Sequence, residues 1–150
     1  MKFKYYWEDF KLGEKVQLGD VKVSKEHMID FAKKYDPQGF HVDEELAAKS
    51  VFGGLIASGW LTCALVMRLA CDAQFVESAS LASPGMDNIR WVKPVRPGSI
   101  IHGYRTTIQS RPSDSRPEMG IIKSLFEGVD QDGDLVVSME GIGLFSRKGS

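Results

Sequence analysis

The stretch from Ser58 to Phe75 limits what this chain can become more than any other. Ser58-Gly59 reads as the opening of a helix in which Trp60, Leu61, Cys63, Ala64, Leu65, Val66, Met67, Leu69, Ala70 and Cys71 cover nearly every face. A helix that is apolar all round must be buried, because no side of it suits water. The run from Trp60 to Ala70 contains Arg68 and is too short to span a bilayer. It therefore needs a wrapping of protein.

The rest of the chain supplies that wrapping. Val16 to Val23 reads as a first strand, followed by Ser24 as an N-cap and a helix from Lys25 to Tyr35. Met28, Phe31, Ala32 and Tyr35 fall at i, i+3, i+4 and i+7, one apolar stripe. A second short helix spans Asp43 to Lys49, with Asp43 as its N-cap, and Phe52-Gly53-Gly54 makes a turn. Beyond the central helix the pattern changes to strands. Ile89 to Val95 is one, ended by Arg96-Pro97-Gly98. Ser99 to Ser110 is another, with Ile100, His102, Tyr104, Thr106 and Ile108 on one face. Arg111 to Gly120 reads as a polar loop. Ile121 to Val129 and Leu135 to Phe145 flank Asp130-Gln131-Asp132-Gly133-Asp134, a hairpin signal. Helices first and an antiparallel meander after predict an α+β fold, a curved sheet around a central helix, as a single domain over 1–150.

Charge narrows the partners. Lys and Arg number 19 against 20 Asp and Glu, a net charge of −1, so no basic excess drives binding to nucleic acid or to an anionic membrane. The start of the chain, Met1 to Asp9, has no apolar core of signal-peptide length, and a cytoplasmic location is expected. Cys63 and Cys71 lie eight apart on the central helix, roughly 12 Å along its axis. That is too far for a disulfide, so they read as buried thiols. The three histidines have no metal-ligand spacing, and no metal is expected. His27 reads as solvent-facing and His102 as a packing residue.

The chemistry concentrates in one segment. Pro37 ends the Lys25–Tyr35 helix and pushes Asp36 out of the α region, aiming its side chain from just past a helix end. Asp36-Pro37-Gln38-Gly39-Phe40-His41-Val42-Asp43 is followed by Ala47-Ala48, then by Phe52-Gly53-Gly54-Leu55-Ile56-Ala57-Ser58-Gly59-Trp60. Asn88-Ile89-Arg90-Trp91-Val92-Lys93-Pro94-Val95-Arg96-Pro97-Gly98 comes later. This linked set resembles the MaoC-like, R-specific enoyl-CoA hydratase family of the hot-dog fold, and the resemblance covers nearly the whole chain. Gln38-Gly39 stands where the family commonly has Asn-Pro, and Met67 where some members have a serine.

The resemblance implies a hydro-lyase adding water to an enoyl thioester, or removing it from a 3-hydroxyacyl thioester. Asp36 and His41 would share a water as acid and base, roles that the sequence leaves open between them, and such groups contribute roughly 10²–10⁴ in rate. Gly59 would offer its backbone N–H, at a helix N-terminus, to the thioester carbonyl. Phe40, Ser58, Trp60 and Met67 are the expected substrate-lining residues, although Ser58 also reads as an N-cap. Lys93, Arg96 and Arg105 are candidates for phosphate contacts. No cofactor is implied beyond coenzyme A, or a carrier-protein arm, as part of the substrate. The family's habit of building its site between subunits implies a homodimer or a dimer of dimers. Two other functions stay open. One is an acyl-CoA thioesterase, which would want a carboxylate on the central helix, where Asp72 sits near the far end. The other is a non-catalytic acyl-thioester-binding subunit.

Overall fold

A computed structural model describes residues 2–150; Met1, the first residue of the expected domain, lies outside them. Five antiparallel strands form one sheet: β1 (Lys15–Lys22), β2 (Ser80–Trp91), β3 (Ile100–Pro112), β4 (Met119–Val129) and β5 (Leu135–Ser146). Their order is β1-β3-β4-β5-β2. The last three strands are the expected meander, and the first two lie at opposite edges. Between those two in sequence come all four helices: α1 (Lys25–Tyr35), α2 (Gly39–Val42), α3 (Glu44–Ala48) and α4 (Gly59–Ala73). The chain crosses the concave face of the sheet once, as α4, which is the hot-dog arrangement.

One side of α4 makes the core. Leu61, Leu65, Val66, Leu69 and Ala70 are buried against Ile101, Phe126, Val136 and Val137. Each fully buried aliphatic side chain of this kind contributes about 1.5–3 kcal/mol. The other side is uncovered. Trp60 is 53% exposed, and Arg68 pairs with Asp72 at 3.0 Å in solvent. A single sheet wraps one flank of a helix, so the all-round burial expected from composition is only partly met within one chain. Cys63 and Cys71 are free and half-buried. No helix among the described residues is long and apolar enough to cross a membrane.

Strand boundaries differ from expectation by one or two residues at most ends and by more at β2. β2 begins at Ser80 and ends at Trp91, where Ile89–Val95 was expected. Pro84 and Gly85 hide its beginning, and an edge strand tolerates them because irregular pairing there leaves no partner wanting an N–H. Pro94 lacks an N–H, and the chain has left the sheet by then. β3 runs on to Pro112. Its outward face carries the expected set Ile100, His102, Tyr104, Thr106 and Ile108, while Ile101, Gly103, Arg105 and Thr107 face the core. In α1, Ser24 Oγ accepts the His27 amide as the expected cap, and Met28 and Ala32 are buried, but Tyr35 at the end of the stripe is 71% exposed.

Candidate active site

Asp36 and His41 meet at the end of α1. Asp36 leaves the helix at φ −155° and ψ 66°, outside the α region that the following proline disfavours. Gln38, Gly39 and Phe40 then return the chain so that His41, on α2, faces back. His41 Nε2 lies 3.3 Å from Asp36 Oδ2, and the imidazole is 5% exposed.

Each ring nitrogen has a defined role. Nδ1 lies 2.8 Å from the Ile56 carbonyl oxygen, which can only accept, so Nδ1 carries the proton. Nε2 is left to trade a proton with whatever stands beside Asp36. Ile56 fixes this arrangement twice, since its N–H also donates to the Phe40 carbonyl at 3.2 Å. The Phe40 ring packs edge-on against the His41 ring, centroids 4.5 Å apart, and against Phe52 at 5.3 Å.

Asp36 is held as firmly. Oδ1 accepts from Gln38 Nε2 at 2.6 Å and Oδ2 accepts from Ser58 Oγ at 2.7 Å. Burial pushes this carboxyl upward, but the bonds from Gln38 and Ser58 and the nearby His41 outweigh it and hold it below the usual range. Gln38 thus reaches the carboxylate with its amide.

Ser58 is fully buried and caps α4, accepting the Trp60 amide at 3.3 Å. The Leu61 and Thr62 amides go to the Ser58 carbonyl at 3.0 and 3.2 Å. Gly59 N–H has no acceptor among the described residues. It opens into a cavity of about 420 Å³ that Asp36, His41, Trp60, Phe52 and Trp91 also line. A β-carbon at Gly59 would strike the Trp91 indole, so the glycine permits a close approach as well as offering its amide. A paired acid and base with a free helix-terminal amide can move a proton beside an oxygen that gains negative charge.

Residues 9–123 match the family described as MaoC like domain. This chain belongs to the MaoC-like domain family. It is 33% identical to YdeM, an uncharacterized protein of Bacillus subtilis, over 124 residues, 83% of this chain and 86% of that one. It is 40% identical to 3-hydroxyacyl-thioester dehydratase Z of Mycobacterium tuberculosis over 99 residues, 64% of this chain and 66% of that one. The crystal structure of the MaoC-like dehydratase from Rhodospirillum rubrum matches with a TM-score of 0.90 at 32% identity, over 97% of this chain and 99% of that one.

Within this MaoC-like frame, the remaining expected residues separate. Trp60 lines the cavity, and Phe40 and Ser58 stand behind His41 and Asp36 as supports. Met67 lies two turns along α4, where it lines a different cavity. Lys93 reaches the site's rim, but its ammonium is bound 2.7 Å from both Asp130 and Asp134 and 3.8 Å from Asp132, in the β4–β5 hairpin. Arg96 donates to the Phe52 and Gly54 carbonyls at 2.5 and 3.1 Å and so braces the turn beside the site. Arg105 corrects an expectation. It is 1% exposed on the concave face of β3, bonded to Gln74, Thr107 and Ser124, and no phosphate in solvent can reach it. His27 is exposed, and His102 pairs with Asp20 at 2.5 Å on the outer face.

Sequence reasoning missed Trp91, Phe52 and the Ile56 backbone. Trp91 meets Trp60 edge to face, centroids 5.1 Å apart, and closes the cavity over Gly59. Its place in the quoted Asn88–Gly98 segment was the one signal available.

Proposed function

We propose that this protein is a hydro-lyase that adds water to an enoyl thioester, or removes it from a 3-hydroxyacyl thioester, at Asp36 and His41. The observation that carries this is the 3.3 Å approach of His41 Nε2 to Asp36 Oδ2 in a cavity that also receives Gly59 N–H. Membership of the MaoC-like family and the dehydratase among its relatives support it.

In the hydration direction, a water beside Oδ2 and Nε2 donates to both. The pair takes one proton from the water as the water oxygen bonds to Cβ, and that same proton is then delivered to Cα, so the pair ends as it began. The Cα–Cβ double bond becomes single, and the charge passing through the thioester oxygen is met by Gly59 N–H. One such donor contributes about 2.7–4 kcal/mol to a transition state. The acid and base roles belong to the pair, which shares the water. The steps call on no cofactor beyond the thioester, presented on coenzyme A or a carrier arm.

A homodimer fits the surfaces. β2 is a free sheet edge, and Leu81, Met86 and Trp91 on it and Trp60 beside it are exposed. An uncovered edge with large apolar side chains suits a second copy of the chain. Thioester hydrolysis is less well served, because Asp72 is paired with Arg68 in solvent away from the cavity.

The test is a panel of short and medium trans-2-enoyl thioesters, followed by loss of conjugated absorbance. Loss without free thiol supports hydration. Free thiol indicates hydrolysis, and binding without change indicates an accessory subunit.

A further inference from the structure

Among the described residues, the buried hydroxyls belong to Ser58, Thr62, Ser78, Ser99, Thr107 and Ser124. All but one are engaged. Ser58 donates to Asp36, Ser78 donates to the Phe75 carbonyl at 2.8 Å, and Ser99 accepts the Arg96 amide at 3.2 Å. Thr107 and Ser124 accept from Arg105. Thr62 is 3% exposed, and its hydroxyl meets no partner among the described residues. A helical threonine can donate to the carbonyl four residues back. Here the Ser58 carbonyl takes the Leu61 and Thr62 amides and no hydroxyl. A buried hydroxyl left unpaired is costly, and such a group calls for a partner from outside the chain.

The space open to it is the catalytic cavity. Thr62 lines the same chamber of about 420 Å³ as Asp36, His41 and Gly59, at a part walled by the buried side chains of Val95 and Val136. It stands three residues past Gly59 on α4, so the two share a face of the helix. Three residues rise about 4.5 Å along the axis. The Cα–Cβ bond leans toward the helix start, which brings Oγ1 back over the turn that presents Gly59 N–H. One oxygen can then lie within about 2.7–3.1 Å of both donors. A carbonyl oxygen has two lone pairs and can accept from both at once.

We propose that Thr62 is a further catalytic residue, its hydroxyl donating a second hydrogen bond to the thioester carbonyl oxygen beside Gly59 N–H. This rests on the hydro-lyase reading of the cavity. As water adds at Cβ, negative charge passes onto that oxygen, and both hydrogen bonds strengthen. The apolar walls keep water from competing for the oxygen and raise the worth of each bond.

The experiment uses the full chain with Thr62→Val, which keeps the shape and removes the hydroxyl, and Thr62→Ser, which restores it. With crotonyl-coenzyme A, Thr62→Val is expected to lower kcat about tenfold or more with KM little changed, and Thr62→Ser to recover most of the loss. Urea unfolding should show Thr62→Val no less stable than the parent, since no partner within the chain is lost. A second readout needs no turnover. Crotonyl-coenzyme A labelled with carbon-13 at its carbonyl is bound to the Asp36→Asn, His41→Gln chain and followed by infrared absorption. The carbonyl band is expected below its position in water, to move back up when Thr62→Val is added, and to stay low with Thr62→Ser. The proposal is overturned if Thr62→Val leaves both kcat and the band where they were, or if Thr62→Ser recovers neither. A parent that binds the thioester without hydrating it would contradict the hydro-lyase reading, while the band would still show whether Thr62 holds the carbonyl. A band that never leaves its position in water would overturn the proposal outright.

Discussion

Ser58 ties Asp36 to the start of α4: its hydroxyl donates to Asp36 Oδ2 at 2.7 Å while accepting the Trp60 amide at 3.3 Å. One side chain thus caps the helix that presents Gly59 and steadies the carboxylate opposite His41. A movement of the helix end would be felt at the acid–base pair.

Ser58→Ala should therefore show two effects. Loss of the cap costs about 0.5–2 kcal/mol in denaturant unfolding. The carboxylate also loses one of the bonds that keep it below the usual range, so its pKa rises. If Asp36 works as the anion, the acid limb of kcat/KM moves to higher pH. A merely structural serine would lower stability and leave that limb where it was. The stability sign follows from the same depressed folded-state value: the contribution of Asp36 is present above its unfolded pKa and is lost as pH falls through the folded one.

Gly59→Ala should be costly because of Trp91, whose indole occupies the space a β-carbon would take. Overpacking of this kind costs about 1–3 kcal/mol. Trp91→Ala in the same chain should recover much of that loss, and a double-mutant cycle in urea measures the coupling. Equal losses in the presence and absence of Trp91 would place the strain elsewhere.

Arg96 gives a test of how the thioester is held. Its guanidinium is spent on the Phe52 and Gly54 carbonyls. Arg96→Ala should loosen the turn and affect a coenzyme A thioester and a short pantetheine thioester to the same degree. A KM penalty seen only with coenzyme A would return Arg96 to the role of phosphate ligand.

Lys93 anchors the chain after β2 to the hairpin. Asp130 is 5% exposed; burial pushes it upward, and Lys93 with the Asp134 and Asp132 amides brings it below the usual range. Lys93 itself is raised by its bonds to Asp130 and Asp134. The pair's contribution should be present above the unfolded Asp pKa of about 3.9 and below the unfolded Lys pKa of about 10.4. It is lost as pH falls through the lowered Asp130 value or rises through the raised Lys93 value. Lys93→Met should lower Tm at neutral pH, and the difference from the parent should shrink on acidification through the carboxylate range.

The parts of the site legible in sequence were those set by local chemistry. Asp36 and His41 sit five residues apart with a proline between, and the linked motifs around them marked the pair, although the Ile56 bonds that fix His41 come from farther along the chain. Ser58 and Gly59 were readable as a helix start. What escaped depends on which side of an element faces inward. β3 offers two alternating sets, and the one richer in aromatic and aliphatic groups faces out, while the inner set includes a charged Arg105. A buried guanidinium with neutral partners leaves no trace in a hydropathy pattern. Met67 is on the predicted helix, but its angular position sends it to the second cavity. Trp91 reaches Gly59 only because β2 and α4 pack across the fold, a long-range contact that no local pattern encodes.

The most direct test of the central claim compares the parent with Asp36→Asn and His41→Gln on an enoyl thioester that it hydrates, after unfolding curves show that all three chains are folded. Each substitution is expected to lower kcat/KM by about 10²-fold or more, with the double variant little worse than either single one, since the two act on one water. Hydration that survives both changes would contradict the account and move the chemistry away from Asp36 and His41.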